Sequence, residues 1–229
     1  MLPTTSPTTQ LVGLLHELSG ENQVATAAVQ AVSRLVGWDG VSLMFVRRRR
    51  LTPLAASDPR MTFADELQVE YHEGPAYDAL SGTQPVSCQD LAGSERWTTW
   101  APPAQQLGWR SWVSIRLAGR GGSNLGVLSV ADPRPAILDA ELLGVLQPLA
   151  VHLSVALDVA RIADTLTTAA ETRERIGQAV GILMERYGVD AAQAFAVLNR
   201  YSQNSNRKLH DVAEELMRTR RLPQTRGSS

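Results

Sequence analysis

At 229 residues, with 44% apolar and 20% charged side chains, the chain has an ordinary globular composition, with room for one domain of about 150 residues and a small appendage. Cys88 is the only cysteine, which excludes an intrachain disulfide and removes any support for secretion. The N-terminus has neither a basic nor an apolar leader region and no stretch reads as long enough to span a bilayer, so a cytoplasmic protein without membrane contact is expected. The net charge of −1 conceals an asymmetry: residues 171–229 carry ten basic and seven acidic side chains, residues 1–170 twelve and sixteen. A mildly acidic body with a basic end suits a polyanionic partner. Lys208 is the one lysine among the 22 basic residues.

Residues 1–8 are rich in Pro, Thr and Ser and read as a disordered tail. An amphipathic helix is predicted over about Asn22–Val36, with Val24, Ala28, Ala31, Val32 and Leu35 on one side. Gly37–Gly40 ends it and opens the apolar strand VSLMFV, and the arginines 47–50 form a charged turn into a returning strand at Leu51–Ala56. A polar, partly helical stretch follows over Met61–Leu80. Arg110–Ala118 alternates Trp112, Ser114 and Arg116 with Val113, Ile115 and Leu117, and the turn at Gly119–Asn124 joins it to Leu125–Ala131 as a hairpin.

From Asp139 onward the pattern is helical. Val155, Val159, Ile162, Leu166, Ala169, Arg173, Ile176, Val180 and Leu183 step by four and three, a heptad seam that suits either dimerisation, the expectation here, or burial of both apolar faces within one chain. A second stripe (Leu146, Leu149, Leu153, Ala156, Ala160, Ala163) lies beside it and suits a sheet. Gly177 and Gly181, four apart, suggest a close helix approach or a surface lying flat against a ligand. The expected class is therefore α/β (α+β). An antiparallel sheet with flanking helices occupies 9–150, a coiled-coil connector 151–170, an all-α three-helix module 171–223, and a tail 224–229.

Catalytic patterns are scarce. The four histidines have no metal-type spacing with one another or with Cys88, and no Walker loop, GxSxG elbow or GxGxxG occurs. His72 with Glu70, Glu73 and Asp78 reads either as an acid–base or metal cluster or as a solvated helix start. The arginine run reads as a phosphate or membrane contact or as a plain hairpin tip. Four tryptophans between Trp97 and Trp112 suit either a flat ligand or aromatic core packing. No enzyme activity, metal or cofactor is expected.

In the C-terminal unit the helices break at Tyr187-Gly188-Val189 and around Gln203-Asn204-Ser205. Asp190 is placed to N-cap the second helix, with Gln193 completing a capping box, and Ala194, Phe195, Val197, Leu198 and Tyr201 supply its apolar side. Asn206 is placed to N-cap the third, whose buried stripe is Leu209, Val212, Ala213 and Leu216. Arg207 and Lys208 then fall in a first turn, where the helix dipole disfavours cations and a bound phosphate would compensate. The alternative is a pair of solvated charges near Asp211.

The segment Arg173–Pro223 resembles an ANTAR domain, the three-helix RNA-binding output module of bacterial antitermination regulators. The matching stretches are RxxIxQAxGILMER at Arg173–Arg186, AF–L at Ala194–Leu198, and SxxxNRKLxDVAEE at Ser202–Glu215. The preceding part resembles the GAF-type sensor that accompanies this module in an actinobacterial-type subfamily. EGPAYDAL (73–80), DLAGSERW (90–97), GWRSWVSIRL (108–117) and LGVLSVAD (125–132) carry that likeness. Ala76 stands where many relatives have cysteine, so thiol or metal chemistry there is not expected. The first strand runs into arginines rather than an acidic pocket, so control by aspartyl phosphorylation is not expected either.

The resemblance implies a homodimeric RNA-binding antitermination regulator that recognises hairpins in nascent transcripts, with a GAF-like domain open to a small-molecule ligand. The candidate RNA contacts are Lys208 and Arg207 for phosphate, Asn206 and Ser202 near the turn, and Arg173 and Gln178 from the first helix. Two rivals are kept: a GAF-like sensor whose helical tail only dimerises, and a helix-turn-helix DNA-binding regulator. Asp211, Glu214 and Glu215 on the third helix speak against the second.

Overall fold

The computed structural model describes residues 18, 20–135 and 140–222. The tails expected at 1–8 and 224–229, and the helix start expected at Asp139, lie outside the described residues. The chain forms two compact units, Met1–Ala163 and Asp164–Ser229.

In the first unit α1 (Glu21–Val36) ends at Gly37, whose left-handed backbone lets its N–H reach the Ser33 carbonyl. β1 (Gly40–Arg47) and β2 (Arg50–Ala56) form the expected hairpin. The polar stretch resolves into α2 (Pro59–Tyr71) and α3 (Pro75–Ser81), each with proline in its first turn, where no N–H is needed. β3 (Val86–Cys88) and α4 (Ala101–Gln106) had no sequence signal, being too short to show a period. β4 (Ser111–Ala118) and β5 (Asn124–Asp132) complete a five-stranded sheet in the order β2-β1-β5-β4-β3, antiparallel throughout. At Gly126 in β5 an added Cβ would stand 2.1 Å from the Met44 carbonyl oxygen, so only glycine permits this approach to β1.

Both sheet faces are covered. Val41, Leu43, Phe45, Val113, Leu117 and Val130 pack against α1 and the first part of α5 (Ala140–Tyr187). On the other face α2 and α4 bury Trp100, Trp109 and Trp112. The alternation in β4 therefore separates two buried faces rather than core from solvent. Its polar members are satisfied inside: Ser114 Oγ lies 2.8 Å from Ser129 Oγ and accepts from Trp112 Nε1 at 3.0 Å.

The stripe from Leu146 to Ala160 lies in the sheet-side core, as its spacing suggested. The predicted seam divides. Leu183 is buried in the three-helix core and Ile176 and Val180 pack partly buried against it, whereas Val155, Val159 and Leu166 are 56%, 54% and 65% exposed and Ile162 37%; Val151, one step before the seam, is 63% exposed. Among the described residues Glu141–Tyr187 is long and apolar enough to cross a bilayer by length and composition, where no such stretch was expected. A helix carrying both a buried side and an exposed apolar stripe reaches that composition without a membrane.

The second unit joins the C-terminal part of α5 to α6 (Ala191–Ser205) and α7 (Leu209–Thr219) around Ala179, Leu183, Ala194, Leu198, Val212, Ala213 and Leu216. Phe195 and Val197, expected inside, are 44% and 37% exposed. A three-helix core of this size buries only one stripe of α6, which Ala194 and Leu198 already fill.

Candidate nucleic-acid interface and sensory domain

Gly188 turns the chain out of α5 with φ 62°, its N–H donating to Met184 O at 2.9 Å. The Asp190–Gln193 capping box then starts α6, Asp190 Oδ1 accepting from Gln193 N at 2.8 Å. The second corner differs from expectation. Asn206 does not N-cap α7; it closes α6 in the left-handed conformation (φ 49°, ψ 37°), with its N–H donating to Gln203 O. Asparagine tolerates that conformation better than most residues, which is the physical reason for the exchange of roles. The break accordingly falls at Asn206–Lys208 rather than around Gln203–Ser205.

Ser202 Oγ donates to the Arg207 carbonyl at 2.5 Å, and the Arg207 N–H reaches Ser202 O at 3.1 Å, so Ser202 braces the corner. Arg207 forms an ion pair with Glu215. Lys208 is exposed and occupies the N-cap of α7, where no side chain caps the helix. The amino end of an eleven-residue helix therefore opens beside a cation, and Asp211 in its first turn lies against His210 at 3.2 Å. Arg207 and Lys208 precede this helix instead of lying inside its first turn, and the dipole now faces a group they would share.

Arg175 meets Glu214 at 3.5 Å and Arg186 donates to the Arg220 carbonyl, so α5 and α7 run in the same direction. Arg173, exposed, thus lies toward the end where α7 begins. Gln178 donates to Glu174 at 3.1 Å and lines a concavity of about 760 Å³ with Gly181, Arg186, Met217 and Arg220. A Cβ added at Gly181 would meet nothing within 4 Å, so no other helix of this chain approaches it there. The six candidate residues form two groups, four at the α6–α7 corner and two along α5. Arg186 and Arg220, which line the same concavity, were not among the sequence candidates, and Gly181 was the one sequence signal on that surface besides Gln178.

In the first unit the motifs singled out in the sequence bind one another. Glu73 Oε1 accepts from the N–H groups of Thr99 (2.8 Å) and Trp100 (3.1 Å), which hold its carboxyl below the ordinary range against a burial effect that raises it. Asp78 holds Arg96 and Trp97 at 2.8 and 3.0 Å. Hydrogen bonds from Arg110 bring Asp90 down to about 2. These carboxylates hold loops together, and His72 contacts Tyr77 (3.3 Å) rather than an acid. Among the described residues no group of three His, Cys, Asp or Glu lies close enough to hold a metal ion. The tryptophans pack edge to face, Trp100 on Trp112 at 5.0 Å and Trp109 on Trp112 at 6.5 Å, which makes them core.

Asp65 is the exception to surface pairing. It is buried on α2, and burial raises its pKa to about 7 despite Ser42 and a 3.2 Å hydrogen bond from Gln68. Neither Asp65 Oδ2 nor Ser42 Oγ closes a hydrogen bond within that arrangement. Gln68 also accepts from the Ala76 N–H at 2.8 Å, at the position where a thiol was not expected to act.

A five-stranded antiparallel sheet between helical layers, followed by a capped three-helix bundle, defines a sensor-type domain with a helical output module. The GAF domain family matches residues 19–158 and the ANTAR domain family residues 164–217. The chain belongs to the GAF domain family and carries a C-terminal ANTAR domain, which implies RNA-binding antitermination regulation, with the GAF domain as a sensory domain. Solved structures similar to it include the GAF domain of a phosphoenolpyruvate-protein phosphotransferase from Acinetobacter (17% identity, TM-score 0.56, covering 68% of this chain and 93% of that one). Its counterpart from Coxiella burnetii is 15% identical, with a TM-score of 0.57 and coverage of 69% and 95%. Free methionine-R-sulfoxide reductase from Neisseria meningitidis, solved with its substrate, is 18% identical (TM-score 0.54, 68% and 89%). Identities this low establish the shared fold alone. No curated protein matches this chain.

Proposed function

We propose that the protein is a cytoplasmic, homodimeric regulator without catalytic activity that binds hairpins in nascent RNA through its ANTAR domain and so opposes terminator formation. The observation that carries this reading is the α6–α7 corner, where exposed Lys208 stands at a helix amino end that no side chain caps. Such an end accepts phosphate, and RNA is read at its loops because the A-form major groove is too narrow for side chains. Arg207 and Lys208 contact phosphate, Asn206 and Ser202 shape the corner, and Arg173 and Gln178 extend the contact along α5.

Dimerisation draws its support from the exposed stripe Val151, Val155, Val159 and Ile162, with Leu166 next in the spacing. Such a contiguous apolar line marks an interface. A dimer holds two hairpins together and raises the effective concentration of the second.

The test is hairpin binding by a folded Arg207→Ala/Lys208→Ala variant across a salt series. Loss of each phosphate contact lowers the salt slope by about 0.7 and weakens different hairpins alike. Because Arg207 is already paired with Glu215, Lys208→Ala alone should account for most of the effect. Unchanged affinity and slope would move the interface to the α5 groove around Gln178, and equal binding to duplex DNA would favour the helix-turn-helix reading.

A further inference from the structure

The arginine run at the β1–β2 hairpin plays no part in the RNA reading, yet its construction is unusual. Arg47 pairs across the strands with Arg50, which leaves Arg48 and Arg49 as a two-residue loop with φ 50° and 66°. A loop with both central residues at positive φ is a type I′ turn, the place where Asn-Gly is strongly preferred. Two arginines in the left-handed region are a costly choice for a plain hairpin tip, and backbone outliers of this kind cluster at binding sites.

A concavity of about 680 Å³ opens beside this turn, within the size range of small-molecule sites. Arg49, Arg50, His72 and Tyr77 supply polar groups to its wall, and Val46 and Leu51 supply an apolar surface. Tyr77 and His72 already contact each other at 3.3 Å, and Asn124, also on the wall, is oriented by its donation to the Leu80 carbonyl at 3.1 Å. The nearest acidic side chains in the motifs and on α1 are engaged elsewhere. Glu73 accepts from Thr99 and Trp100, Asp78 from Arg96 and Trp97, and Glu21 pairs with Arg47. Among the described residues Arg49 and Arg50 have no ion-pair partner. Two adjacent unpaired cations over a partly apolar wall favour a ligand with an anionic head and a small apolar body.

We infer that the GAF domain binds a small organic anion, a phosphate or carboxylate carried on a compact apolar group, in the concavity between the β1–β2 turn and α3, with Arg49 and Arg50 holding the anion. This deepens the sensory reading of the domain by naming its site and ligand class, and it is independent of the RNA surface. The tryptophan-filled sheet face does not take part, since its side chains pack on one another.

The test is calorimetric titration of the full chain with phenyl phosphate, benzoate, inorganic phosphate and uncharged benzyl alcohol. Arg48→Gln, Arg49→Gln and Arg50→Gln variants, checked for folding by circular dichroism, are titrated alongside. Phenyl phosphate or benzoate should bind the parent and Arg48→Gln alike, and at least about tenfold more weakly to Arg49→Gln and Arg50→Gln, the loss expected for one charge-assisted hydrogen bond. Preference for phenyl phosphate over benzoate, or the reverse, identifies the head group. Benzyl alcohol and inorganic phosphate should bind more weakly than the probe that joins both parts. Binding that survives all three substitutions would place the ligand elsewhere, overturning this site while leaving the sensory reading intact. Equal weakening by all three would reduce the effect to a diffuse positive field, and no binding by any probe would overturn the ligand class. A matching loss of RNA-hairpin affinity in Arg49→Gln and Arg50→Gln would reassign the run to RNA phosphate and overturn the proposal.

Discussion

Replacing Asp65 by asparagine should change how stability depends on pH. The side chain is 1% exposed, and burial lifts its pKa to about 7, against about 3.9 in an unfolded chain. The native state therefore binds this proton more tightly than the unfolded state does. Between about pH 4 and pH 7 the unfolded chain holds fewer protons, so stability falls as pH rises through that window and levels off above it. A separation of about 3 pH units corresponds to about 4 kcal/mol, fully present below pH 4 and lost by pH 8. Asparagine keeps an oxygen for the Gln68 amide and cannot ionise. The assay is urea denaturation of parent and variant at pH 4.5, 6 and 8. Paired carboxylates such as Asp58 and Asp132, lowered mainly by hydrogen bonds from arginine, act in the opposite direction at acid pH and cancel in the comparison. The expected result is a gap that moves in the variant's favour by several kcal/mol from pH 4.5 to pH 8. Parallel pH curves for the two proteins would refute the argument that desolvation governs this carboxyl.

Ile162→Asp/Leu166→Asp should convert dimers to monomers in sedimentation experiments with helicity retained, because these positions lie on the exposed part of the seam; an unchanged dimer would dissociate the stripe from assembly. Gly126→Ala should destabilise the protein by about 3 kcal/mol, since its Cβ would meet the β1 backbone at 2.1 Å, and a neutral denaturation midpoint would contradict that approach. Cys88→Ser should leave hairpin affinity and any oxidant response unchanged, because Cys88 is the only cysteine and Ala76 offers no thiol; loss of an oxidant response in the variant would establish redox chemistry at Cys88.

Local patterns determined much of this protein from the sequence. The capping box at Asp190, the hairpin strands, the sheet-facing stripe of α5 and the ANTAR and GAF motifs depend on neighbours a few residues apart, so residue order is enough to reveal them. Other features needed the tertiary structure. Asn206 has the composition of an N-cap, and only the path of α6 into the corner made it a left-handed C-cap. The heptad spacing ran unbroken to Leu183, but the three-helix core claimed Ile176, Val180 and Leu183 and left only the earlier positions exposed. The tryptophans allowed either a binding surface or a core until α2 and α4 were laid over their sheet face. Spacing along a chain specifies which residues share a face. What covers that face depends on contacts between segments distant in sequence, which local patterns do not encode.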